Sequence, residues 1–159
     1  MRKKPELSLR ARALQYLARR EYSRAELRSK LLPHVRTEDD CVSPQPNDLD
    51  ALLDDLTARG WLSDIRAATQ FVHAKRARFG TQRITHELRQ KGIAESLIAD
   101  ALPQLKETEF DTACDVWRRK FGTIAQDVKE KAKQIRFLQS RGFSSEVIFK
   151  VLKLPDADF

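Results

Sequence analysis

The stretch from Arg78 to Ile93, RFGTQRITHELRQKGI, carries the reading of the fold. It opens on a Phe-Gly break, continues as a basic amphipathic segment with Ile84 and Leu88 four residues apart, and stops at Lys91-Gly92-Ile93. Apolar residues at that spacing share one side of a helix, and a glycine just past the end closes the last turn. Each of these features recurs. Arg78-Phe79-Gly80 returns as Lys120-Phe121-Gly122, and Glu21-Tyr22-Ser23 holds the comparable place in the first third. Leu27 and Leu31 correspond to Ile84 and Leu88. Lys91-Gly92-Ile93 followed by Leu97, Ile98, Ala101 and Leu102 is echoed by Arg141-Gly142-Phe143 followed by Val147, Ile148, Val151 and Leu152. Self-similarity on this scale marks stacked units that bury their faces on one another. The expected fold is all-α, three tandem three-helix repeats over 1–63, 64–106 and 107–159.

Other stripes fit the same period: Leu49, Leu52, Leu53 and Leu56; Ile65, Ala68, Phe71 and Val72; Phe110, Ala113, Cys114, Trp117 and Phe121. Ser23-Arg24-Ala25-Glu26 and Thr108-Glu109-Phe110-Asp111 have the hydroxyl-x-x-acid form of a helix start, and Asn47 and Thr81 stand where caps are expected. All five glycines, Gly60, Gly80, Gly92, Gly122 and Gly142, follow helical patterns and are read as left-handed stops. The copies differ in two places. Thr123 to Ser140 exceeds the matching stretch of the middle repeat, and residues 34–47, with Pro44, Pro46 and three consecutive acids, are expected to form an exposed loop inserted in the first.

The 159 residues suffice for one ordinary domain or a few small units, and 41% hydrophobic residues supply a core. The formal charge of +7 and a pI of about 9.6 point to an acidic partner, nucleic acid first or proteins that live on it. The charge is segregated: residues 2–36 hold eleven Lys/Arg against three acids, 37–64 hold one against eight, 73–91 six against one, and 118–150 nine against three. Two cysteines far apart, Cys41 and Cys114, are the usage of a reducing compartment. With no signal-type segment and no apolar run of about 18 residues, a cytoplasmic location is expected.

No catalytic constellation stands out. His34, His73 and His86 share no metal-ligand spacing with the cysteines, and no phosphate-cradling glycine motif occurs, so no enzyme activity, metal or cofactor is expected. His73 reads as a solvated surface residue, Cys114 as part of a packed stripe, and Asp54-Asp55 as the solvent face of an acidic helix. The basic runs are more informative. Lys75 to Arg78 with Arg83, Arg89 and Lys91 precede or follow one Phe-Gly break, and Arg118-Arg119-Lys120 precedes the other, as Arg19-Arg20 precedes Glu21-Tyr22. Equivalent charges on successive units suit a repetitive acidic partner.

Residues 60–102 resemble the signature region of the RecX family, bacterial regulators of the RecA recombinase. The resemblance rests on Gly60-Trp61-Leu62 with Ser63-Asp64, Phe71, the basic run ending at Gly80, Arg83-Ile84, Glu87-Leu88 and Lys91-Gly92-Ile93. LARREYSRAELRSKL at 17–31 is similar to the family's opening helix pair and RFLQSRGFSSEVIFKVL at 136–152 to its closing one, so nearly the whole chain is covered. Ser63 departs from the pattern, standing where an acid is usual. The resemblance implies repeats in an elongated curved array that lodges along the groove of the RecA filament on DNA. There it would inhibit strand exchange, ATP turnover and coprotease function, modulating DNA repair and the SOS response. Arg76, Arg78, Arg83, Arg89, Lys91, Arg118, Arg119, Lys120 and Arg141 are then the expected partner-facing residues, on a monomer that also makes weak, sequence-independent contact with DNA. The rival reading is a sequence-preferring DNA-binding module in which Thr81 to Lys91 is a groove-reading helix offering Gln82, Arg83 and Gln90 to bases.

Overall fold

The computed structural model describes residues 7–35 and 46–153, all of whose regular elements are helical. In chain order these are α1 (Leu9–Arg19), α2 (Arg24–Leu31), a 3-10 turn (Leu32–His34), α3 (Pro46–Ala58), α4 (Asp64–Lys75), α5 (Thr81–Gln90), α6 (Glu95–Lys120), α7 (Val128–Ser140) and α8 (Ser145–Leu152). The chain forms two compact units. The first comprises the chain through Gln70 with Lys91–Ile93, and the second Phe71–Gln90 with the chain from Ala94 onward.

In the first unit, α1, α2 and α3 surround Leu9, Ala13, Tyr22, Leu27, Leu31, Leu49, Leu53, Leu56 and Leu62. Leu49, Leu53 and Leu56 are fully buried, as their spacing requires, and Leu52 packs at the edge. The capping box at Ser23 is complete: its hydroxyl accepts the Glu26 amide hydrogen, and Glu26 accepts from the Ser23 amide at 2.9 Å. The loop expected over 34–47 lies largely outside the described residues. Its last two residues are already helical, because the fixed φ of Pro46 suits the opening of α3, so Asn47 sits within the first turn instead of capping it.

The second unit is built on α6, which packs against α5, α7 and α8. Ala113, Cys114, Val116, Trp117, Leu138, Phe143, Ile148 and Val151 form its main core, and Ile84, Leu88, Ile98 and Leu105 are buried between α5 and α6 and along α6. Trp117 donates its indole hydrogen to Gln134 at 3.0 Å, and the Gln134 amide donates to the Thr123 carbonyl at 3.1 Å. These bonds tie the extra length of the third repeat, the loop before α7, to α6.

Three expectations need correction. Thr108 does not start a helix: α6 runs unbroken through it for 26 residues, its hydroxyl back-bonds to the Gln104 carbonyl, and Pro103 sits on an exposed face where water can satisfy the carbonyl it leaves free. The acid used for capping is Glu109, which is buried and accepts the amide hydrogen of Ser144 at 3.3 Å, just ahead of α8. Ile65 is 63% exposed, whereas Ala68 of the same expected stripe is buried, together with Ala67. Gly60, Gly92, Gly122 and Gly142 are left-handed, whereas Gly80 is not. Gly80 is required by space, since a Cβ there would run into the backbone of Gly142 and Phe143.

These glycines separate strain from crowding. Gly60→Ala forces a side chain into φ +74° with open space around it, a cost of about 1–2 kcal/mol. Gly142→Ala adds to the same strain an overlap with Arg83, and Gly80→Ala meets overlap alone. Denaturant midpoints should therefore fall most for Gly142→Ala, and Gly80→Ala should cost more than Gly60→Ala despite its ordinary φ.

Candidate partner-binding site

Each of the two units has one joint where a glycine turn packs closely on the start of a helix. In the first, the Ser23 hydroxyl donates to the Lys91 carbonyl at 2.5 Å, and Gly92 lies directly on Ala25 at the start of α2. In the second, the amide of Gly80 donates to the Arg141 carbonyl at 2.7 Å and that of Gln82 to the Gly142 carbonyl at 3.1 Å, while Gly142 lies on Arg83 at the start of α5. In both, the start of a repeat's second helix docks on a basic-Gly turn, and glycine is needed because any Cβ would hold the segments apart.

The charges at the joints differ. At the first, Glu26 accepts from Lys91 Nζ at 2.5 Å and from Arg20 at 3.3 Å, and the Arg20 guanidinium lies 3.6 Å from the Tyr22 ring centre. Burial alone would raise the Glu26 pKa, but the hydrogen bonds from Lys91, the Ser23 amide and Arg20 outweigh it and hold the carboxyl below its ordinary 4.5. Lys91, expected to point outward, is thus three-quarters covered and held inside this joint. At the second joint Arg83 stands at the position of Glu26. Arg83, Arg141 and Arg78 lie 4.1, 5.2 and 5.8 Å from the centre of one ring, Phe79, and Arg83 also donates to the Ser140 carbonyl at 3.2 Å.

Beside this cluster, Arg78, Arg119, Lys120 and Arg141 line a groove of about 220 Å³ whose apolar part is Val116 and Phe137. Phe137 stands edge-on to Phe121 at 5.4 Å and receives Lys120 and Arg141 at 5.6 and 5.3 Å. The sequence-nominated cations therefore divide. Arg83 pairs with Glu87 at 3.5 Å, Arg89 with Glu95 at 2.6 Å, Arg118 with Asp115 at 3.3 Å, and Lys91 with Glu26. No carboxylate of the described residues pairs with Arg78, Arg119, Lys120 or Arg141. Arg76 is exposed and does not line the groove.

Phe79, Phe137 and Val116 were missed in the sequence as parts of this site. The signal for Phe79 was its place beside the repeated glycine, and for Phe137 its position four residues before Arg141 on one helix face. Cys114 is buried, and burial pushes its thiol pKa up, which suits packing and opposes reactivity. His73 is exposed. Asp54 and Asp55 do more than face solvent: Asp54 pairs with Arg24 at 2.8 Å, and Asp55 with Arg59 at 3.0 Å and with Arg10.

Short helical units, one of which gathers cations and aromatic rings at a groove, define an all-α protein of three-helix domains. Residues 63–102 match the model of the second three-helix domain of RecX, and 107–152 that of the third. The regulatory protein RecX of Leptothrix cholodnii is 48% identical over 96% of this chain and 92% of its own, and that of Ralstonia nicotianae 42% over 95% and 90%. A crystal structure of RecX from Lactobacillus salivarius superposes with a TM-score of 0.71 at 18% identity over 91% of this chain and 92% of that one, which speaks for the fold. A second RecX crystal structure gives 0.71 at 25% identity, covering 90% and 70%. The chain belongs to the RecX family.

Glu26 gives the joint of the first unit a pH signature. A carboxyl depressed below 4.5 contributes stability that is fully present above that value and is lost as the pH falls through its folded pKa. Unfolding free energy measured across acid pH should decline below about 4.5, and Glu26→Gln should flatten that decline while lowering stability at neutral pH.

Proposed function

We propose that the protein acts without catalysis of its own by binding the RecA filament on DNA in the cytoplasm. There it restrains RecA's strand exchange, ATP turnover and coprotease activities. The observation that carries this reading is the groove of the second unit, whose cations pair with no carboxylate among the described residues, set on a family of proteins named as regulators. A filament offers the same surface at each subunit, and tandem units that each make a weak contact gain avidity through linkage. A monomer is enough for that. Weak, salt-sensitive, sequence-blind contact with the DNA would accompany it.

The rival, a sequence-reading helix, is disfavoured by how α5 is used. Recognition helices bring their N-terminal residues to base edges. Here the start of α5 is docked on the α7–α8 turn through Gly80 and Gln82, and Arg83 is spent on Phe79 and the Ser140 carbonyl.

The purified protein should slow RecA-driven ATP hydrolysis on single-stranded DNA at substoichiometric ratios. Arg119→Glu with Lys120→Glu, at two unpaired groove cations, should raise the concentration needed for half inhibition by about tenfold or more. Unchanged RecA turnover at every ratio of wild-type protein would overturn the reading.

A further inference from the structure

We infer that the groove of the second unit is a receptor for a carboxylate side chain of the partner protein, which takes at the second joint the place Glu26 takes at the first. The argument is a comparison inside the molecule. Ser23 and Gly80 are equivalent caps, Leu27 and Ile84 equivalent core residues, and Gly92 and Gly142 equivalent turns, each seated on the start of a second helix. At the first joint, one carboxylate joins an ammonium and a guanidinium beside an aromatic ring: Lys91, Arg20 and Tyr22 around Glu26. At the second joint the ring and the turn cation are kept, as Phe79 and Arg141, while Arg78 stands one residue beyond the place of Arg20 and the acid's place is taken by Arg83, which pairs with Glu87.

Glu87 answers Arg83 alone, at 3.5 Å, whereas Arg78 and Arg141 have no carboxylate partner among the described residues, and an anion from outside would supply one. Guanidiniums in this arrangement take a carboxylate through charge-assisted hydrogen bonds. The groove also has the shape for an acidic side chain. Its apolar part, Val116 and Phe137, suits the methylenes of a glutamate, and its volume of about 220 Å³ holds a side chain or two. A nucleic-acid strand needs a continuous cationic track, with a charge every 3.4 Å or so. Glu87, Glu95 and Asp115 interrupt such a track where it would run on through Arg83, Arg89 and Arg118.

The test uses the full chain with two labelled probes of equal formal charge at low salt, a short glutamate-rich peptide and an oligothymidylate, read by fluorescence anisotropy. The peptide should bind. Arg83→Glu, which sets a carboxylate beside Arg78 and Arg141 at the Phe79 ring, should weaken peptide binding by about tenfold or more, and Arg83→Gln should weaken it less. Should Arg83→Glu fail to fold, Arg119→Glu, at an exposed position on α6, reads the same loss. No peptide binding, peptide binding untouched by the folded variant, or equal losses for both probes would overturn the inference, as would loss confined to the oligothymidylate.

The RecA arm separates this inference, which takes its protein partner from the proposed function, from that proposal. Wild-type protein that does not cosediment with RecA filaments sinks the proposed function and leaves the peptide result standing. Wild-type and Arg83→Glu proteins that cosediment equally sink the carboxylate receptor alone.

Discussion

The close passage of Gly80 and Gly142 is the constraint on which the second unit depends. Neither residue has a side chain, so the backbone before α5 reaches the carbonyls of Arg141 and Gly142 and forms two interchain-like hydrogen bonds between segments far apart in sequence. Those bonds satisfy amide hydrogens at the start of α5 that have no partner within their own helix. They also fix where Arg83 and Arg141 stand, because both residues adjoin the crossing. The aromatic ring of Phe79, next to Gly80, is thereby placed under several guanidiniums at once. A packing requirement between two glycines thus determines an electrostatic feature of the surface.

The segregation of charge along the chain acquires its meaning in three dimensions. The basic opening third and the acidic stretch after it are complementary within the first unit: Arg10, Arg24 and Arg28 reach across to Asp55, Asp54 and Asp50 of α3, and Arg66 to Glu21. Each such exposed pair contributes little to stability, about 0–1 kcal/mol, but together they consume cations that would otherwise be available to a partner. The strong charge of residues 2–36 is therefore a poor guide to where an acidic partner binds. Around Phe79 and Phe137 the surplus is smaller but less neutralised: among the described residues, Arg78, Arg119, Lys120 and Arg141 pair with no carboxylate.

Helix positions, the core stripes of α3, α6 and α8, and the capping box at Ser23 were legible in the sequence because each depends on residues within two turns of one another. The repeated Phe-Gly and basic-Gly steps even indicated which residues are equivalent. Long-range consequences were not legible. Thr108 and Glu109 carry a helix-start pattern, yet what decides their fate is the pairing of Glu109 with Ser144 and the continuity of the apolar face from Ile98 to Trp117. Ile65 fits the stripe of α4 by period, but it is left exposed while Ala68 of that stripe is covered. Gly80 looks like the other glycines in sequence and differs in purpose, since the reason for it is a backbone segment that arrives from far along the chain. The cations of the site could be listed from the sequence, but which of them are neutralised is set by partners such as Glu26 for Lys91, and no spacing rule joins those two.

Helix α6 has a last consequence. The second and third three-helix domains of the family meet within it, so they are joined by a ruler of about 1.5 Å per residue and about 100° of rotation per residue. A residue added to a surface loop is absorbed locally. A residue added to the middle of α6 would turn everything after it by roughly a quarter of a revolution, pulling Ser144 from Glu109 or Gly142 from Gly80. The length of this helix is thus a phase as well as a distance, and lineages of this chain should change it, if at all, by whole turns.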